Sequence, residues 1–255
     1  MKSVIAAVLL ALPAVAWAEP DPSLHAKYSA YSNGLNVLDM QASLALTPRN
    51  YSLEINYRTT GFVGALIHVR GDTRVEGSFG VNRPVPRSLF STGYIRGAPH
   101  VTQMEWKSGH PSIVQLTPPI AEDGRDPVAE ADQAGTVDSL SAIAQLMHDV
   151  GATGRCDGAL NTFDGRRLAD LSTRTVGTEN LPPTGRSSFH GPALRCDFTG
   201  HQLGGFVHDV DRAELQKPQR GTAWFASVHP GEPPIPVRFV FETRSFGPAT
   251  AYLTE

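Results

Sequence analysis

The chain has 255 residues, of which 40% are hydrophobic and 18% charged, with a formal net charge of −3. That length and apolar content support a packed core and exclude a largely disordered chain. The charge has no long run of one sign, which excludes the basic stripe that nucleic acid requires and the polybasic segment of a membrane-surface binder. The 24 glycines and 20 prolines point to many turns rather than long helices.

Residues 1–18 read as a secretory signal peptide: Lys2 is the positive n-region, Val4 to Val15 the apolar stretch, and Ala16-Trp17-Ala18 a small-x-small cleavage site. The apolar stretch is too short to span a bilayer, and no later stretch is long enough to be a transmembrane segment. No cysteine follows the cleavage site, which excludes a lipid anchor there. The expected mature chain, residues 19–255, is one exported β-rich domain.

Leu24 to Ser32 is expected as the first strand, and Asn33-Gly34 as a hairpin turn. Residues 35–46 and 50–58 follow, with Thr47-Pro48-Arg49-Asn50 between them. In the second of these Tyr51, Leu53, Ile55 and Tyr57 alternate with Ser52, Glu54, Asn56 and Arg58, which gives a strand one apolar and one wet face. Phe62 to Ser78 reads as extended, with Gly71-Asp72 as a bulge or turn. Pro84 and Pro86 break the pattern, and strands resume at 88–96, 101–107 and 112–116.

Residues 118–134 form an acidic loop without the spacing of a calcium-binding hand. Leu140, Ile143, Leu146, Met147 and Val150 lie on one helical stripe. Asp138 or Thr136 caps it and Gly151 is expected to stop it near residue 150. Strands at 158–163 and 166–176 flank Asp164-Gly165, read as a type I′ turn. A loop at 179–192 precedes a strand at 193–203, and residues 208–219 are a loop or a single helical turn. Strands then follow at 222–228, 235–242 and 249–253.

Cys156 and Cys196 are the two cysteines. An even pair in an exported chain predicts a disulfide, closing the segment 156–196. No zinc spacing, nucleophile elbow, phosphate loop or dinucleotide fingerprint is present, so the sequence names no catalytic residue, metal ligand or cofactor. The clustered histidine and carboxylates at His208, Asp209 and Asp211 read as polar residues on the surface. Arg166 and Arg167, beside the Asp-Gly turn, are either solvated or positioned to grip an anionic group.

Several stretches carry a family resemblance. They are Tyr51 to Tyr57 with Thr60-Gly61, Gly77 and Pro84; the helix after Asp138; Phe163 to Leu171; Cys196; Trp224; Ile235 to Arg238; and Phe246-Gly247 to Leu253. Together they resemble the domain of unknown function 3108 family of exported bacterial envelope proteins, over nearly all of the mature chain. The resemblance implies a periplasmic location in a Gram-negative cell and assigns no catalytic residue.

Many strands and one substantial helix predict a curled antiparallel sheet, open or a half-barrel like lipoprotein carriers, with the helix of about 138–150 docked on it. The apolar inside then suits a lipid or lipoprotein acyl chain, with Leu53, Ile55, Tyr57, Val237, Phe239 and Phe241 as lining and Arg166 and Arg167 for an anionic part. The same six apolar side chains also suit a dry core. This reading is of a non-enzymatic binding or scaffold protein. Its alternatives are an envelope hydrolase acting on a glycan or ester, and a module that engages other envelope proteins through a sheet edge.

Overall fold

A computed structural model describes residues 23–81, 83–95, 97–243 and 247–255. The expected signal peptide lies outside the described residues. The strands are β1 (Leu24–Ser32), β2 (Leu35–Leu46), β3 (Asn50–Thr59), β4 (Val69–Phe79), β5 (Pro84–Ile95), β6 (Ala98–Lys107) and β7 (His110–Thr117). Then come β8 (Gly158–Phe163), β9 (Leu168–Leu181), β10 (Gly191–Gly204), β11 (Gln219–Ala226), β12 (Ile235–Thr243) and β13 (Gly247–Leu253). Helices are α1 (Gly61–Leu66), α2 (Glu130–Gln133), α3 (Ser139–Thr153) and α4 (Arg212–Leu215), with a 3-10 turn at Ile120–Glu122.

All thirteen strands form one antiparallel sheet in the order β7-β6-β5-β4-β3-β2-β1-β13-β12-β11-β10-β9-β8. The curled, open sheet expected from alternation is therefore present. Chain neighbours are sheet neighbours throughout, except where β1 pairs with β13 and where β7 and β8 become the two edges. The opening falls at the segment that carries α3. Across it Arg166 Nη2 donates to the Thr117 and Pro118 carbonyls, and Val137 forms a parallel bridge with Thr162 of β8.

Curvature is built by cross-strand pairs of an aromatic with a glycine. Tyr51 faces Gly77, Tyr57 faces Gly71 and Phe198 faces Gly221. A Cβ added to any of these glycines would fall 2.1 to 2.6 Å from the ring or hydroxyl atoms lying over it. Rings that fold across their own sheet let it bend without leaving a gap. Gly71 is thus an interior strand residue under Tyr57, not the bulge or turn expected from sequence.

Other boundaries also differ from the sequence reading, each for a local reason. The stretch after Thr60 opens with α1 instead of a strand, with Val63 as its buried contact and Gly61 (φ +58°) held against the Asn36 carbonyl. Pro84 and Pro86 begin β5 rather than interrupt it, next to a register shift between Glu76 and Gly77. Gly151 stays helical against Pro234, and α3 ends at Gly154, whose φ of +67° supplies the left-handed cap. The turn after Phe163 is not type I′: among its residues Gly165 has positive φ (+87°), and Asp164 Oδ1 accepts the Arg166 and Arg167 N–H groups. The loop expected at 179–192 shrinks because Glu179, still in β9, accepts hydrogen bonds from Arg195 and Trp224 on neighbouring strands. The acidic stretch 118–134 contains the 3-10 turn and α2.

α3 lies on the inner face of the sheet and touches β3, β4, β5 and β8. Asp138 caps it, accepting from the Ser141 N–H at 2.8 Å. Ala144, Met147 and Val150 pack into a core with Leu44, Tyr51, Leu53, Val75, Leu89 and Met104. Cys156 and Cys196 are bonded, with Cα atoms 6.2 Å apart, fastening the chain just after α3 to the middle of β10.

Candidate functional site

The inner face has two halves. On β3 the inward residues run Leu53, Ile55, Tyr57; on β12 they run Val237, Phe239, Phe241. Counting pairings from β3 through β2, β1 and β13 to β12 makes the two strands parallel, so both series run toward the same end of the sheet. Leu53 is 1% exposed and Val237 0%, so both belong to the dry core. Ile55 and Phe239 are half-buried and pack against that core, and Tyr57 and Phe241 lie beyond it, also half-buried. Of the six proposed lining residues, two are sealed and four keep contact with solvent. Met40, opposite Tyr57 on β2, shares this exposure.

The rim at this end is apolar. Phe62 and Leu66 of α1 are 69% and 68% exposed, and Tyr94 and Ile95 at the end of β5 are also exposed. A hollow of about 530 Å³ opens beside Leu66, Ile67, His68 and Gly97. Deeper on the inner face Thr73 and Ser91 hydroxyls pair at 2.8 Å.

The two arginines separate in role. Arg166 is 11% exposed and committed to structure: Nη1 lies 2.8 Å from Asp123 Oδ2, and Nη2 bonds the end of β7. Arg125 Nε reaches the same Asp123 oxygen at 2.8 Å. Burial, followed by the Arg166 guanidinium, lowers the His100 pKa beside this cluster. Gly205 (φ +72°) passes so close that an added Cβ would fall 1.8 Å from the Arg166 carbonyl oxygen.

Arg167 pairs with Asp164 at 2.8 Å, yet its side chain stays 57% exposed. The Asp164 carboxylate raises its pKa, and Asp123 and Tyr57 act on it in the same direction. Burial opposes ionisation of Asp164, but Arg167 and the backbone N–H groups of Arg166 and Arg167 together hold its carboxyl below the usual range. Burial raises the Tyr57 pKa, as does Asp72, while Arg167 opposes them. A cation that senses β3 and the 118–134 segment while remaining exposed borders a space rather than filling one. The sequence paired neither Arg167 with Tyr57 nor Arg166 with Asp123. Their separations of 110 and 43 positions leave no local trace.

Among the described residues no group of three or more His, Cys, Asp or Glu side chains is arranged to hold a metal ion, and no helix is long and apolar enough to cross a membrane.

The family described as "Protein of unknown function (DUF3108)" matches residues 27–254. No curated protein matches the chain. Among solved structures, a "Beta-barrel-like Protein of Domain of Unknown Function DUF1849" from Brucella abortus is similar, with a TM-score of 0.54 and 10% sequence identity. The match covers 92% of this chain and 97% of that one. At that identity the likeness concerns the fold alone.

Proposed function

The chain belongs to the DUF3108 family, and from that premise we propose a non-enzymatic binding protein that takes an acyl chain or another hydrophobic ligand of the cell envelope into the open half of its inner face. The observation that carries this reading is the graded exposure along Leu53, Ile55, Tyr57 and Val237, Phe239, Phe241. A sheet that needed only a dry core would be covered along its whole inner length; here α3 lies against β3, β4, β5 and β8, and Ile55, Tyr57, Phe239 and Phe241 stay partly exposed. The exposed apolar side chains of Phe62 and Leu66 offer an alkyl chain an apolar entrance. Arg167 stands beside Tyr57 as a cation for an acidic head, in exchange with Asp164. The periplasm is the proposed place of action, on the signal read in residues 1–18 and a disulfide compatible with an oxidising compartment.

Native mass spectrometry of protein purified without detergent, with displacement of a fluorescent long-chain fatty acid, tests the reading. A discrete added mass and saturable displacement are expected. Phe239→Asp, which places a charge in the path of the alkyl chain, weakens the probe by tenfold or more, equivalent to about 1.4 kcal/mol. A bare polypeptide that no acyl probe saturates would sink the proposal.

A further inference from the structure

A second site lies at the opposite side of α3. A shallow groove of about 50 Å³, open to solvent, runs between α3 (Ala142, Gln145, Leu146, Asp149) and the β8 edge (Asp157 to Leu160), with Leu171 and Thr173 of β9 at its base. We propose that this groove binds an extended, basic peptide segment, which adds a strand to the free edge of β8. The site is separate from the open half of the inner face and does not depend on an acyl ligand.

Three observations carry it. First, this edge already accepts a parallel β-bridge. Val137 N–H donates to the Asn161 carbonyl at 3.0 Å, and Phe163 N–H donates to the Val137 carbonyl at 2.8 Å. The chain then leaves the edge to enter α3. In an antiparallel ladder alternate residues face alternate sides. Asn161 and Phe163 face away from β9, so Ala159 does too, with its N–H and C=O toward the groove. Ala159 is exposed and is paired to nothing but its own strand neighbours among the described residues. An edge of this kind is the template for peptide addition.

Second, the groove wall has an acceptor in want of a donor. Gln145 is 4% exposed; its Nε2 donates to Asp149 Oδ1 at 2.8 Å, and its Oε1 is buried with no donor among the described residues. A buried carbonyl oxygen without a partner is costly, and turning the Gln145 amide toward the groove, where a ligand donor can meet it, relieves that cost.

Third, the charge of the lining is negative. Asp149 and Asp157 both face the groove. Asp157 is engaged by Thr175 and Arg155, whereas Asp149 meets Gln145 and, at 3.5 Å, His148. Asp149 is therefore the carboxylate left for a lysine or arginine of the incoming segment.

Fluorescence anisotropy with a labelled alternating Val-Lys peptide and its Val-Glu counterpart, on the full chain, tests the inference. Saturable binding of the Val-Lys peptide is expected, with weaker binding of the Val-Glu form, and the Ala159 amide gains protection from hydrogen exchange in the complex. Ala159→Pro deletes the edge donor at a position where an edge strand tolerates proline, and weakens the Val-Lys peptide by about threefold to tenfold. Should that variant unfold, Asp149→Lys, at a partly exposed site, carries the test by reversing the preference between the two peptides. Absence of saturable binding overturns the inference. So does equal binding of the two peptides, or unchanged affinity in a folded Ala159→Pro variant. Binding of the fatty-acid probe is expected to be unaffected by either substitution, so the two sites fail independently.

Discussion

The two halves of the inner face are made by the same strands, yet one is sealed and the other keeps contact with solvent. Leu53 and Val75 lie opposite one another on β3 and β4 and are sealed beneath α3. One step along, Ile55 faces Thr73, and a further step on Tyr57 faces Gly71; both Ile55 and Tyr57 keep contact with solvent. Although Thr73 and Ser91 stand in the open layer where Val75 and Leu89 stand in the sealed one, along β3 itself hydrophobicity does not distinguish these positions. The placement of one helix does, because burial of apolar area is what converts a greasy face into stability.

The comparison breaks most sharply under truncation. Leu53→Ala is expected to cost about 2–5 kcal/mol, since it empties a sealed site, whereas Ile55→Ala costs about 1 kcal/mol because its side chain is already half in water. Urea titration of both variants is the check; equal costs would mean that the halves are not distinct. Next comes the tether of α3. Replacing Cys156 and Cys196 by serine is expected to cost about 2–4 kcal/mol, and to lower the melting temperature without changing the strand signal in circular dichroism.

A pH series sharpens the same contrast through the sealed cap. Burial raises the Asp138 pKa above its ordinary value, against the opposing hydrogen bonds from Ser141. In the acid range just above the ordinary carboxylate pKa, the folded state therefore holds a proton that the unfolded state has released. Stability attributable to Asp138 is full below that ordinary pKa and is lost as pH rises through the raised one. Asp138→Asn, which keeps the cap, removes this loss. Its stability relative to wild type should climb with pH through that window and then level off, as read by denaturation from acid to neutral pH. Glu76, whose pKa the Arg87 hydrogen bond lowers, gives the opposite slope in both proteins and cancels from the difference. The smallest effect belongs to the open half. Arg167→Ala removes an exposed ion pair with Asp164 and is expected to change stability by less than about 1 kcal/mol in a thermal melt.

Much of the strand pattern was legible because a half-buried strand writes its geometry into every second residue. Leu24–Ser32 matches its expected bounds, and β2, β3 and β8 follow theirs closely. Asn33 and Gly34, expected as a hairpin turn, both take the positive φ that a type I′ turn needs. The misreadings cluster where a distant partner decides the local geometry. Glu179 looks like a loop residue until Trp224 and Arg195 are set beside it, and Gly151 looks like a helix end until Pro234 packs against it. At the candidate site, the apolar inward residues were legible and their division into sealed and open was not. Arg166 and Arg167 are neighbours in sequence but diverge in fate, since one closes the opening beside β7 and the other borders the interior.

By itself, the sequence determined a chain of alternating strands, one amphipathic helix and a cysteine pair, because those signals are local periodicities and compositions. Only the tertiary structure decided that β1 meets β13, that the opening falls between β7 and β8, and that α3 lies against β3, β4, β5 and β8. Such outcomes depend on how far a bent sheet curls and where a tethered helix lands, and those are sums over contacts between residues remote in sequence, which no short window of side chains records.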